Sequence, residues 1–264
     1  MRYFIGILLT VVLMNACSPN NVQVNNELGK YFDSVGVKGS FALFNNGTGD
    51  FTVYNLNRYK DSAYAPASTF NILRALIAVE TGVVSDENMT IQLDSAVSME
   101  SAFKQSVVPY FQEVARRIGK DTLQFWLDSL SYGNHQIGKS VDSFWMNNTL
   151  KLTADEQLGL VKKLFFNQLP FQKRSHEIVR KMMLQESNAN YQLSYKDGIT
   201  VLDNGTQLAW IAGWIEESKH PYFFVLNLEG PSNTPMNQVS KDLLRKILAN
   251  QGFFEGKRQT RGLS

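Results

Sequence analysis

The 264-residue chain has a single cysteine and only three histidines. One cysteine excludes an intrachain disulfide, so the fold rests on its core alone. His135, His176 and His220 are scattered without ligand spacing, and Arg180 stands where a zinc helix beginning at His176 would need its second histidine. No metal and no other cofactor is expected, and the three histidines read as surface or loop residues. A net charge of +2 and the lack of a long Lys/Arg run exclude a nucleic-acid partner. There is no Gly-rich phosphate loop, no Gly-x-Ser-x-Gly elbow, no internal repeat and no low-complexity tract.

The apolar run at residues 4–14, after Arg2, is too short to span a bilayer comfortably and suits the core of an export signal. Leu13-Met14-Asn15-Ala16-Cys17 follows and resembles a bacterial lipobox, in which the cysteine is acylated and becomes the first mature residue. Residues 1–16 are therefore expected to be a lipoprotein signal peptide, and residues 17–34 the lipidated Cys17 with a polar tether. A folded domain is expected over residues 35–255, and a solvated basic tail over 256–264. Diacylation of Cys17 would supply chains enough for stable anchoring. The expected location is the bacterial cell envelope, as a membrane-anchored lipoprotein.

Hydrophobic residues make up 44% and charged residues 19%, an ordinary mix for one large globular domain. Residues 39–44 and 51–54 alternate as strands around Asn45-Asn46-Gly47-Thr48-Gly49-Asp50, a hairpin signal. Residues 68–82 read as a buried helix with Gly82 as its stop. Helices are expected over 99–119, 122–130 and 175–185, and over 153–166 behind a capping box of Thr153 and Glu156. Residues 191–195, 207–215 and 222–228 are strand-like, and residues 237–251 form a last amphipathic helix. Strands at both ends around a helical middle predict an α+β fold, with one antiparallel sheet drawn from both chain ends.

The segment Pro66-Ala67-Ser68-Thr69-Phe70-Asn71 carries the chemistry. A serine in the first turn of a buried helix lies at the positive end of the helix dipole, where backbone N–H groups can stabilise an oxyanion. The residue three positions on shares its face and is the natural site for a base. Taken alone, the segment also fits a plain helix-capping serine.

This segment, followed by Ala75-Leu76-Ile77-Ala78-Val79-Glu80-Thr81-Gly82, resembles the active-site helix of class D β-lactamases, the oxacillinases. Four further blocks occur in that family's order. They are Ser106-Val107-Val108-Pro109, Tyr132-Gly133-Asn134, Ser143-Phe144-Trp145, and Trp210-Ile211-Ala212-Gly213-Trp214 with Tyr222-Phe223-Phe224. The resemblance spans about residues 35–254 and implies the serine β-lactamase and penicillin-binding-protein fold, a transpeptidase-like domain. It implies Ser68 as nucleophile, Ser106 and Lys196 as a proton relay, and the backbone N–H groups of Ser68 and Ile199 as oxyanion hole. Substrate-binding roles fall on Val108, Tyr132, Asn134, Trp145, Asp197, Gly198 and Ile199.

The departures lie at charged positions. The family has a carboxylated lysine, its general base, where this chain has Asn71. An amide cannot abstract a proton, and Trp145 is left without the partner it contacts in the family. The family's Lys-Thr-Gly reads Lys196-Asp197-Gly198, which would set a negative charge against a substrate carboxylate. The family's carboxylate-binding arginine falls at Val239 or Ser240, with Lys241 adjacent and Arg245 further on. The expected function is binding of a β-lactam or peptidoglycan-stem-like small molecule at Ser68, with hydrolysis weak or lost. One alternative is a serine β-lactamase using Lys196 and Ser106 as surrogate base. The other is a non-catalytic scaffold with a new ligand, for which the Asp197 carboxylate suggests an amine.

Overall fold

The computed structural model describes residues 21–256; the stretch read as an export signal, Cys17 and residues 257–264 of the stretch read as a basic tail lie outside them. The chain opens with β1 (Val22–Val24), a short 3-10 turn and α1 (Gly29–Asp33), then the hairpin of β2 (Lys38–Asn45) and β3 (Phe51–Tyr54), and α2 (Leu56–Asp61). A 3-10 turn, Ala67–Phe70, runs into α3 (Asn71–Glu80). The small hairpin of β4 (Thr90–Gln92) and β5 (Ala96–Ser98) precedes α4 (Met99–Gln105), α5 (Val108–Ile118), α6 (Lys120–Ser129), α7 (Ala154–Phe165) and α8 (Lys173–Met183). Then come β6 (Leu184–Ser187), β7 (Tyr191–Val201), β8 (Gln207–Glu217), β9 (His220–Gly230) and α9 (Met236–Asn250).

Seven strands form one sheet in the order β1-β3-β2-β9-β8-β7-β6, antiparallel except for the β1–β3 pair. Ala42 of β2 pairs with Val225 of β9, so the two chain ends meet in the sheet as the sequence pattern predicts. Side chains of a strand alternate between faces. Trp210, Ala212 and Trp214 of β8 enter the core formed with α3, α5 and α7, while Ala209, Ile211 and Ile215 enter a second core with α1 and α9. With both faces covered, β8 is apolar almost throughout rather than alternating in polarity. The capping box forms: Glu156 N–H donates to Thr153 Oγ1 at 3.2 Å, and Thr153 N–H to Glu156 Oε2 at 2.7 Å.

Four expectations change. The stretch read as tether is partly folded: β1 pairs with β3, and Leu28 and Phe32 are buried in the second core. Its polarity reflects an edge strand and a helix with one buried face. The helix expected over 99–119 is two, because Ser106 takes a left-handed conformation (φ +56°) and caps α4 with its own N–H. The segment after α8 turns into β6, which the helical reading of 175–185 absorbed. His176, read as a surface or loop residue, is fully buried in α8, its Nδ1 3.1 Å from the Gln172 carbonyl.

Phe32 decides whether the early segment belongs to the domain. Truncating a fully buried phenylalanine costs about 3–5 kcal/mol, so Phe32→Ala should lower the urea midpoint strongly. A chain starting at residue 35 should be at least as destabilised. An unchanged midpoint in both would return residues 21–34 to the tether.

Candidate active site

The turn carrying Ser68 is fixed from two directions. Ala67 sits at φ +51° and donates its N–H to the Trp145 carbonyl at 2.9 Å. Trp210 on β8 donates its indole N–H to the Ala65 carbonyl at 2.9 Å. Beneath the turn runs β7, and a Cβ on Gly198 would lie 2.6 Å from the Ser68 nitrogen and 2.7 Å from that of Thr69. Only glycine permits that approach, and Ile199 follows directly. Ser68 is 7% exposed, and its hydroxyl bonds to none of the described residues.

Asn71 is buried on the same helix, and its side-chain carbonyl accepts a hydrogen bond from Nη2 of Arg74. Arg74 is fully buried, with its guanidinium carbon 3.7 Å from the Trp145 ring centroid, 4.9 Å from Phe111 and 5.3 Å from Phe70. The Trp145 side chain therefore has a cationic partner after all, supplied one helical turn beyond the position expected to provide it. Burial pushes the guanidinium pKa well down, yet guanidinium groups keep their proton in proteins. Burying such an ion costs several kcal/mol. A desolvated cation–π contact returns about 2 kcal/mol or more, and a hydrogen bond to a charged group about 1.5–3 kcal/mol. These contacts leave Nε and Nη1 without a protein acceptor. Neither Asn71 nor Arg74 can take a proton from Ser68 or from water.

A second cation lies on β7. Lys196 is 1% exposed; its Nζ donates to Ser106 Oγ at 2.6 Å and to Asp197 Oδ1 at 2.7 Å. The left-handed Ser106, between α4 and α5, turns its hydroxyl to this lysine. Burial lowers the Lys196 pKa, with Asp197 opposing in part. Lys241 reaches Asp197 Oδ2 from α9 at 3.0 Å. Burial alone would raise the Asp197 carboxyl; Lys196 and Lys241 outweigh it and hold the carboxyl below its ordinary value. Lys241 by itself balances the Asp197 carboxylate, so the repulsion expected at Asp197 is cancelled, and with it the case for an amine-bearing ligand. β6 pairs only with Gln192–Ser194, which leaves the Lys196–Val201 stretch of β7 as an open edge beside Ser68.

The structure thus gathers Ser68, Asn71, Trp145, Ser106, Lys196, Asp197 and Gly198. Other expected positions take no polar part in that cluster. Tyr132 is buried against Phe70, its hydroxyl donating to Gln157 at 3.2 Å. Asn134 staples its loop, donating to the Thr149 carbonyl at 2.9 Å and accepting from Lys151 N–H at 3.0 Å. Val108 opens α5, half-buried. Ser240 donates back to Asn237, and Arg245 pairs with Glu186 at 2.6 Å, away from Asp197. Arg74 was missed by the sequence reading, although a lone charge inside the apolar run 70–79 was a visible signal. The role of Lys241 had no local signal, since it depends on how α9 crosses β7.

The sequence matches the penicillin binding protein transpeptidase domain family over residues 18–249. It is 30% identical over 268 residues to beta-lactamase OXA-5 of Pseudomonas aeruginosa, covering 97% of this chain and 100% of that protein. Among solved structures it is similar to a class D beta-lactamase from Sebaldella termitidis (TM-score 0.83, 25% identity, covering 88% of this chain and 98% of that one). It is comparably similar to the C-terminal domain of the Bacillus licheniformis BlaR penicillin-receptor (TM-score 0.82, 27% identity, 88% and 97%). With Ser68 on its helix turn against β7 and five sequence blocks in order, the chain belongs to the penicillin-binding transpeptidase family, in its class D serine β-lactamase branch.

Proposed function

We propose that this protein is a β-lactam or peptidoglycan-stem binder in which Ser68 takes up the acyl group and releases it slowly or not at all. The observation that carries this reading is the pair Asn71–Arg74, an amide and a guanidinium bonded to each other where a base would have to stand. Opening the lactam needs a path for the Ser68 proton. Lys196 supplies one: the neutral amine can accept the Ser106 hydroxyl proton, and Ser106 that of Ser68. The serine oxygen bonds to the lactam carbon, the C–N bond breaks, and the ring nitrogen receives the proton. Release requires a second base, acting on water, and the described residues offer none beside Asn71. The likeness to a penicillin receptor supports retention over turnover.

The alternative, turnover with Lys196 and Ser106 serving both steps, is favoured by one observation: burial lowers the Lys196 pKa, and the 2.6 Å bond to Ser106 is already made. The two readings share acylation and differ in release. The same proposal puts the chain at the cell envelope, held by lipid on Cys17, which the sequence of residues 1–17 supports.

A fluorescent penicillin should label the wild type and not Ser68→Ala, with little colour released from a chromogenic cephalosporin. Rapid Ser68-dependent colour release would establish turnover instead, and absence of label would end both readings. Because burial favours the neutral amine, labelling should accelerate with rising pH through a midpoint below that of a free lysine. Lys196→Ala should slow labelling by about 10²–10⁴-fold and flatten that pH rise.

Restoring lysine at position 71 should fail by itself. Asn71→Lys sets an ammonium against the buried Arg74 guanidinium, so its thermal midpoint should fall and no cephalosporin turnover should appear. Adding Arg74→Met should recover the midpoint. A single variant as stable as the wild type would show that the two charges do not meet.

Cys17→Ser should move the expressed protein from the membrane fraction to the soluble fraction and abolish incorporation of labelled palmitate. Unchanged fractionation and labelling would remove the lipid anchor.

A further inference from the structure

We propose that Arg74 is the receptor of a buried anion-binding site, and that its ligand is a small planar oxyanion of the carboxylate or bicarbonate class. The starting observation is a cation with no anionic partner: among the described residues no carboxylate forms an ion pair with Arg74, whereas Lys196 and Arg245 each have one. The guanidinium is fully buried, so bulk solvent does not neutralise it. Of its five N–H donors, one from Nη2 is spent on Asn71. Nε and Nη1 carry three more and meet no acceptor.

The surroundings select the ligand's shape. The rings of Trp145, Phe111 and Phe70 crowd the guanidinium at 3.7, 4.9 and 5.3 Å, and none of them offers a strong acceptor. An anion must therefore approach along an edge of the guanidinium, in its plane. One edge joins Nη1 to Nη2 and the other joins Nε to Nη2; Asn71 takes the Nη2 hydrogen of one edge, and a flat two-oxygen anion can take the paired N–H donors of the other. Planar oxyanions match the guanidinium fork in this way, and a flat anion lies in the guanidinium plane between the ring faces. The Asn71 amide group stands beside the same atoms and can donate to the ligand's oxygen. This site is independent of the β-lactam reading, because it needs neither Ser68 nor the open edge of β7.

Formate is the probe, with gluconate, too large to enter, as the replacement anion at constant ionic strength. The thermal midpoint of the purified protein should rise saturably as formate replaces gluconate. At a formate concentration one hundred times the dissociation constant, the unfolding equilibrium constant should fall about a hundredfold. Arg74→Met should show no formate-dependent rise, and Ser68→Ala should respond like the wild type. No difference between formate and gluconate in the wild type, or an equal response in Arg74→Met, would overturn the proposal. Should Arg74→Met fail to fold, wild-type crystals grown in formate decide. Planar density within hydrogen-bond distance of Nε or Nη1 supports the site, and water as the sole acceptor there refutes it.

Discussion

The Ser68 turn lies so close on β7 that the absent side chain of Gly198 is what makes room for it: a methyl there would sit 2.6 Å from the Ser68 amide nitrogen. That approach ties the first half of the chain to the second. It sets Ser68 at the mouth of α3 against a strand edge that β6 leaves unpaired. The Trp145 carbonyl and the Trp210 indole each hold the turn by a hydrogen bond, at Ala67 and at Ala65. The strained Ala67 conformation is affordable because those three supports act together.

Around that fixed point the charges have been rearranged rather than removed. The partner packed on Trp145 is the guanidinium of Arg74, a cation that cannot serve as a base. On β7 the added carboxylate of Asp197 is answered by Lys241 from α9. The two changes act in opposite directions on function. An amide at position 71 cannot take a proton from water, which is the step that release of an acyl group requires. Pairing Asp197 with Lys241 balances the added negative charge, and burial leaves Lys196 with a lowered pKa that Asp197 opposes only in part.

Much of the fold was legible. The hairpin of β2 and β3, the buried helix after Ser68, the capping box of α7 and the terminal strands follow from period, turn residues and caps, which are local. The misreadings share a cause. Ser106 breaks a helix through a backbone conformation that its own residue type does not announce. Val22–Val24 becomes a strand only because β3 lends it an edge. His176 is buried because it shares the α8 face of Val179 and Met183, three and seven positions on, and α8 packs toward α3; the pattern was there, but residue type suggested the surface.

The sequence by itself determined the family, and that an amide stands at position 71 three residues after Ser68, since each is a matter of residue identity at a position within an ordered set of blocks. Only the tertiary structure decided what the remaining charges mean. Whether Asp197 repels a ligand depends on Lys241, 44 positions away in the chain and 3.0 Å away in space. Whether Trp145 keeps a cation depends on Arg74 turning inward. Electrostatic interactions fall off with distance and grow as water is excluded. Their sign and strength at Ser68 are therefore fixed by packing, which residue order alone does not state.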